Sequence, residues 1–143
     1  MMMLDNEKIV RELCAAAEGQ GTDIEKFVSM FSEEGYMWDM ASGMKFRGKA
    51  IGESVAGMVS AFPDVHREIF NIHVAGDVVV VELAIRGTHK GDLPLPSGTL
   101  APTGKKIDVP SCDVFHLEGG KLISFHCYNE ASAMQQQLGL VPG

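Results

Sequence analysis

A chain of 143 residues can bury the core of one domain without disulfides or a metal, so a single domain over residues 1–143 is expected. Its net charge of −7 and the lack of any Lys/Arg-rich stretch exclude the electrostatic footprint of a nucleic-acid or anionic-membrane binder. Although 45% of the residues are hydrophobic, no apolar run approaches the roughly 18 residues of a membrane span, so a soluble globular protein is expected.

At the start, Met1-Met2-Met3-Leu4 runs straight into Asp5, Asn6 and Glu7. With no basic region and no apolar stretch behind it, this is not read as an export signal, and the cytoplasm is the expected compartment. Asp5 can cap a helix through about Ala17, with Ile9, Val10, Leu13 and Cys14 on one face, until Gly19 and Gly21 break it. Thr22-Asp23-Ile24-Glu25 reads as a capping box for a second helix carrying Phe27, Val28, Met30 and Phe31. A short extended piece, Tyr36 to Met40, ends near Gly43. Arg47-Gly48-Lys49 then opens a third helix, with Ile51, Val55, Met58, Val59 and Phe62 at helical spacing and Pro63-Asp64 as its stop.

After Pro63 the apolar period becomes two, and four strand-like runs follow. The first covers about Val65–Val74 and turns at Ala75-Gly76-Asp77; the second covers Val78–His89. The third and fourth, about Lys105–Leu117 and Lys121–Tyr128, are joined at Glu118-Gly119-Gly120, a hairpin connection. Between the second and third lies a Pro- and Gly-rich loop, Gly91 to Gly104, of a length that often belongs to a lid or binding loop. A last helix is expected from Asn129 or Glu130 to Leu138, ending at Gly139. Helices first and a meandering sheet afterwards predict an α+β fold, with helices on one face of a curved, mostly antiparallel sheet.

Such a sheet has an inward and an outward phase. Val79, Val81, Leu83 and Ile85 point inward in the second run, continuing to Gly87 and His89, and Ile123, Phe125 and Cys127 point inward in the fourth. The outward phase carries Val78, Val80, Ala84, Val114 and Tyr128, which is less polar than a solvated face, so a homodimer packed through it is expected.

The third run puts Ile107, Val109, Ser111, Asp113, Phe115 and Leu117 on one face, and Asp113 is the exception among them. An ionised carboxylate buried there is costly, so it must find hydrogen bonds or hold its proton through a raised pKa, which marks a candidate acid–base site. Two plainer readings stand beside this one: a structural carboxylate bonded to the backbone, or a bulge after Pro110 that turns it to water. Cys14, Cys112 and Cys127 are odd in number and set in apolar surroundings, which suits reduced buried thiols. The five His residues show no metal-ligand spacing; neither a metal nor a cofactor is expected.

Phe62-Pro63-Asp64, Gly76-Asp77-Val78-Val79, Gly87-Thr88-His89-Lys90-Gly91, Pro102-Thr103-Gly104, Gly120-Lys121-Leu122-Ile123 and Gln137-Leu138-Gly139-Leu140 occur in an order that resembles the SnoaL-like polyketide (ester) cyclases of the NTF2-like superfamily. The resemblance covers about Phe27 to Leu140. It implies a cone-shaped α+β barrel with a short C-terminal helix, frequent dimerisation through the sheet, and a deep apolar pocket for a small molecule. It also implies cofactor-independent acid–base chemistry: aldol-type ring closure, or enolisation as in the related steroid isomerases, on a small apolar carbonyl compound. By that resemblance Asp39 corresponds to the base and Asp113 to the oxyanion donor. The isomerase Tyr falls near Cys14 or Ala15, and the cyclase acid–base Asp on the last long strand aligns with Cys127, so two parts of the known machinery are replaced.

His89, at the inward end of its strand, is a candidate auxiliary donor or proton relay, or else a residue that orders the Gly91–Gly104 loop. Asp39 has a plainer reading as a solvated turn residue. Trp38, Phe115 and Phe125 are read as core or pocket wall, and Cys127 and Asn129 join them as substrate contacts. Cys127 as a nucleophile lacks a His in its own strand phase. Glu130 is a first-turn dipole partner or an acid at the pocket edge. The alternative to an enzyme is a binding protein that uses the same pocket without chemistry; a filled, purely structural cone is the third reading.

Overall fold

The structure, a computed structural model, describes residues 5–141; the Met1–Leu4 segment lies outside them. Helix α1 (Asn6–Ala16) starts where the Asp5 carboxylate accepts the Lys8 N–H at 3.0 Å, and it buries Val10, Leu13 and Cys14. Helix α2 (Ile24–Ser29) is capped by Asp23. Thr22, expected to form the capping box, instead donates its hydroxyl to the Glu18 and Gly19 carbonyls and closes the turn behind α1. Phe31, placed on α2 by its spacing, begins strand β1 (Phe31–Asp39), because Met30 already caps the helix. Its ring still packs 5.7 Å from Phe27, so the apolar spacing is real although the backbone has changed state.

The short strand β2 (Lys45–Arg47) returns antiparallel along β1 and precedes helix α3 (Lys49–Ala61), whose N-cap Gly48 has φ 54°. Strand β3 (His66–Ala75) and strand β4 (Val78–Thr88) form a hairpin, as do β7 (Lys106–Glu118) and β8 (Lys121–Asn129). In the second hairpin Gly119 and Gly120 have φ 58° and 79°, the left-handed pair that a tight two-residue turn needs. Inside the expected irregular loop a two-stranded ribbon forms, β5 (Leu93–Leu95) on β6 (Gly98–Leu100). Helix α4 (Ala131–Gln137) lies on β7, where the Gln137 amide brackets the Asp108 backbone with bonds of 2.6 and 2.8 Å.

The main sheet runs β2-β1-β8-β7-β4-β3 and is antiparallel except for the β1·β8 pair. This is the expected α+β fold: helices α1 to α3 pack on one face of the sheet, and α4 closes one end. Most of the sheet's inner face is core. Val79, Val81, Phe115 and Leu122 are fully buried, each contributing about 1.5–3 kcal/mol of apolar transfer.

Strand pairing sets the inner face in rows. Met37, Phe125, Phe115 and Val79 lie abreast; the next row is Asp39, Cys127, Asp113 and Val81; the next is Asn129, Ser111 and Leu83; then come Val109 and Ile85. Two expected directions change. A register shift leaves Ile123 unpaired, so Leu122 takes the inward place assigned to Ile123. Trp38, expected on the pocket wall, pairs with His126 and lies on the outer face, one residue out of phase with Met37 and Asp39. There Lys45 sits 4.2 Å over its ring. Tyr128 and Phe70, 47% and 55% exposed, and the half-buried Val78, Val80 and Val114 keep the outer face apolar.

Candidate functional site

The rows place two carboxylates on either side of one thiol. Asp39 and Asp113 are the cross-strand neighbours of Cys127, on β1 and β7 respectively. Each arrives by the period-two alternation of its strand, and β8 inserts between them because its own inward phase, Phe125, Cys127 and Asn129, matches both. A string of polar contacts joins the pair. The Asn129 amide donates to Asp39 Oδ1 at 3.2 Å and to Cys127 Sγ at 3.6 Å. Cys127 Sγ lies 3.8 Å from Ser111 Oγ, and Ser111 donates to Asp113 Oδ1 at 3.5 Å.

Asp113 is 1% exposed, and burial pushes its carboxyl up from 3.8 to about 6. The Arg67 guanidinium and the Cys127 and Ser111 donors pull in the opposite direction without cancelling that effect. The Cys127 thiol is raised to about 12, chiefly by burial and then by the charge of Asp113, so it stays protonated and serves as a hydrogen-bond group. Cys14, which with Ala15 marks where the resemblance puts a phenol, is likewise buried and raised to about 12.

A cavity of about 480 Å³ opens above this row. Its wall is mostly apolar, with Met58, Ile85, Val109 and Met134 around it and Leu93 to Pro96 of the β5–β6 ribbon along one side. Asp39 and Asn129 line it; Asp113 and Cys127 do not, because the Ser111–Asn129 row covers them. Asp113, expected to donate to a substrate, thus lies outside that wall. A second hollow of about 510 Å³ lies between α2 and α3 at Ile24, Val28, Gly52 and Ala56. Glu25, Lys49 and Glu53 also line it, and none of the row's groups does.

The other expected residues separate. Phe115 and Phe125 stack with centroids 4.4 Å apart, one row below the carboxylates, and belong to the core. His89 is fully buried against Phe62 and accepts the Thr103 N–H at Nδ1, 3.2 Å, with the Thr103 hydroxyl 2.9 Å from the same atom. It ties the root of the ribbon loop and stands outside the cavity wall. Glu130 is exposed and also stands outside it. Ser111 and Arg67 are the contributors missed in the sequence. Ser111 shares the strand phase of Asp113, which was signal enough; Arg67 acts from β3, and its relevance depends on strand pairing that the sequence does not announce.

Among the described residues no group of three His, Cys, Asp or Glu side chains could hold a metal ion. No described helix is long and apolar enough to cross a membrane.

Helices clasping one face of a curved sheet, over an apolar hollow edged by a carboxylate, define the NTF2-like class of α+β barrels. Residues 8–138 match the model of the SnoaL-like polyketide cyclases. The chain belongs to that family. It is similar to a Catenulispora acidiphila protein of ketosteroid isomerase-like fold in complex with trimethylamine: 26% identity, 92% of each chain covered, TM-score 0.76. IdmH from Streptomyces antibioticus, assigned as a polyketide cyclase, shares the fold at 17% identity over 95% of this chain and 99% of its own, with a TM-score of 0.79. A protein of Acidithiobacillus ferrooxidans with the same assignment aligns at 22% identity over 98% of this chain and 99% of its own, TM-score 0.76. No curated protein sequence matches the chain.

Proposed function

We propose that this protein is a cofactor-independent acid–base enzyme of the cyclase or isomerase type, acting on a small apolar carbonyl compound held in the 480 Å³ cavity. One observation carries the reading. Asp39 Oδ1 is fixed by two donors, the Ala41 N–H at 3.1 Å and the Asn129 amide at 3.2 Å, while Oδ2 accepts no hydrogen bond among the described residues, on a residue that lines the cavity. A carboxylate held by one oxygen and open at the other is arranged as a base. Apolar walls then keep bulk water from quenching an enolate.

In this reading Asp39 takes the proton. Asp113 is a positioning residue: from below it anchors Ser111 and Cys127, and through Cys127 it helps to hold the Asn129 amide that orients Asp39. Both amide hydrogens of Asn129 are engaged, and an amide does not pass protons along a chain. The string therefore fixes geometry and does not conduct. His89 sets the loop that forms part of the wall.

The test is hydrogen exchange in deuterium oxide on a panel of cyclic and open-chain ketones, followed by proton NMR, with mass spectrometry for ring closure. Wild type should exchange or cyclise at least one of them, and Asp39→Asn should slow it by about 10²–10⁴-fold. Exchange equal to buffer across the panel, or unchanged in Asp39→Asn, would remove the reading.

A second reading, a carrier that binds without chemistry, is favoured by the replacement of the aligned carboxylate by Cys127 and by the trimethylamine held in the Catenulispora acidiphila relative. Recovery of an unaltered ligand with the purified protein, together with no exchange on the panel, selects it.

A further inference from the structure

The polarity of the cavity wall narrows the ligand class, and this step rests on the cavity being the binding site. Asp39 Oδ1 can only accept, so the Asn129 atom facing it at 3.2 Å must be the amide nitrogen, and the side-chain flip is settled by chemistry. The other amide hydrogen goes to Cys127 Sγ at 3.6 Å. Asn129 Oδ1 is then left without a protein donor among the described residues, as is Asp39 Oδ2. Neither atom is among the sealed, unpartnered ones, which are Asn6 Oδ1 and His89 Nε2.

Two accepting oxygens without a protein donor therefore belong to a pair of hydrogen-bonded residues, both of which line the cavity. Asp39 is the sole charged residue of the described wall, and no Lys, Arg or His shares it. An accepting pair of this kind does not hold a carbonyl oxygen or an anion: lone pairs would face lone pairs, and the carboxylate would repel a second negative charge. It holds a hydrogen-bond donor. The donors on the wall, the Ser42 hydroxyl and the Gln135 amide, remain for a carbonyl of the same molecule.

We infer that the ligand carries a hydroxyl or a protonated amine at the end that meets Asn129 Oδ1 and one lone pair of Asp39 Oδ2, the second lone pair staying free to take a proton, on an otherwise apolar frame without acidic groups. At about 30 Å³ for each water-sized unit, the 480 Å³ holds roughly 16 non-hydrogen atoms, the size of two fused rings with about six substituent atoms. Phosphorylated, carboxylated and coenzyme A-linked compounds are excluded from the enclosed part.

Isothermal titration calorimetry on the full chain at pH 7, with four bicyclic probes of matched shape, tests this: β-tetralone, β-tetralol, protonated β-aminotetralin and tetralin-β-carboxylate. The alcohol and the amine should bind about tenfold more tightly than the ketone, the equivalent of one net hydrogen bond, and the carboxylate should bind at least about tenfold more weakly than the ketone. In Asp39→Asn, which keeps the shape and removes the charge, the advantage of the amine over the ketone should vanish. A ketone that binds as tightly as both donors, a carboxylate that binds best, or no binding by any of the four at millimolar concentration would overturn the inference. Donor preference without exchange on the ketone panel leaves this inference standing and removes the enzyme; Asp39-dependent exchange with the ketone bound best does the reverse.

Discussion

Asp113→Asn should make the protein more stable at neutral pH, by an amount set by how strongly the fold resists the charge. The carboxyl is 1% exposed and its pKa rises from 3.8 to about 6, first through burial. At about 1.4 kcal/mol for each pH unit, the folded state holds the proton more tightly than the unfolded chain by about 3 kcal/mol. A raised carboxyl contributes stability that is fully present below 3.8 and is lost as pH climbs through about 6. At pH 7 the wild type must therefore carry a buried charge that the amide lacks. The amide is a near-isostere, and losing one weak acceptor contact to Ser111 costs about 1 kcal/mol. The net gain expected at pH 7 is about 2 kcal/mol, shrinking to zero or reversing near pH 4. Urea unfolding of both proteins from pH 4 to pH 8 reads this as a difference that grows with pH and levels off above about 6.5. A difference that stays flat over the range would show that Asp113 ionises in the fold as easily as in the open chain, and the account of its burial would fail.

Asn129→Leu should lower turnover about tenfold while the unfolding midpoint changes little, because it removes one of the two donors on Asp39 Oδ1; undiminished activity on a wild-type substrate would refute the positioning role. Gly91→Ala should destabilise by about 1–3 kcal/mol in urea titrations, since its Cβ would overlap the Ser60 carbonyl under the loop root. Gly57→Ala, in α3 with open space around its Cβ, should stabilise by about 0.5–1 kcal/mol; equal effects of the two changes would contradict the packing described. A homodimer through the outer sheet face is expected, so Val80→Lys with Tyr128→Lys should shift sedimentation from dimer to monomer; a wild type already monomeric at micromolar concentration removes that interface.

The alternation after Pro63 was strong enough to place all four long strands to within a residue or two, because aliphatic and aromatic side chains fill most inner positions and glycine-bearing turns bound both hairpins. β2 and the β5–β6 ribbon were silent at three residues per strand, too short for a period to register. Phe31 and Trp38 were misread for a shared reason. Apolar character says that a side chain is covered, but the element and the face follow from where the backbone changes state, here Met30, and from pairing with β8. Asp113 was legible as a carboxylate out of place in an apolar phase. Its cover by Ser111 and Asn129 was not, since that depends on the register of β7 against β8. His89 Nδ1 meets Thr103 only because the loop folds back, a contact between residues whose local sequence carries no mark of it.

The parallel pairing of β1 with β8 has a consequence for biosynthesis. Asp39 is made early and its neighbours Cys127 and Asn129 late, so Asp39 gains its companion amide only when β8 slides into the gap between β1 and β7. Until then a nascent chain presents two open sheet borders on either side of a vacant slot, a state prone to capturing strands from other chains. The emergence of β8 from the ribosome therefore sets the moment at which those two borders are closed.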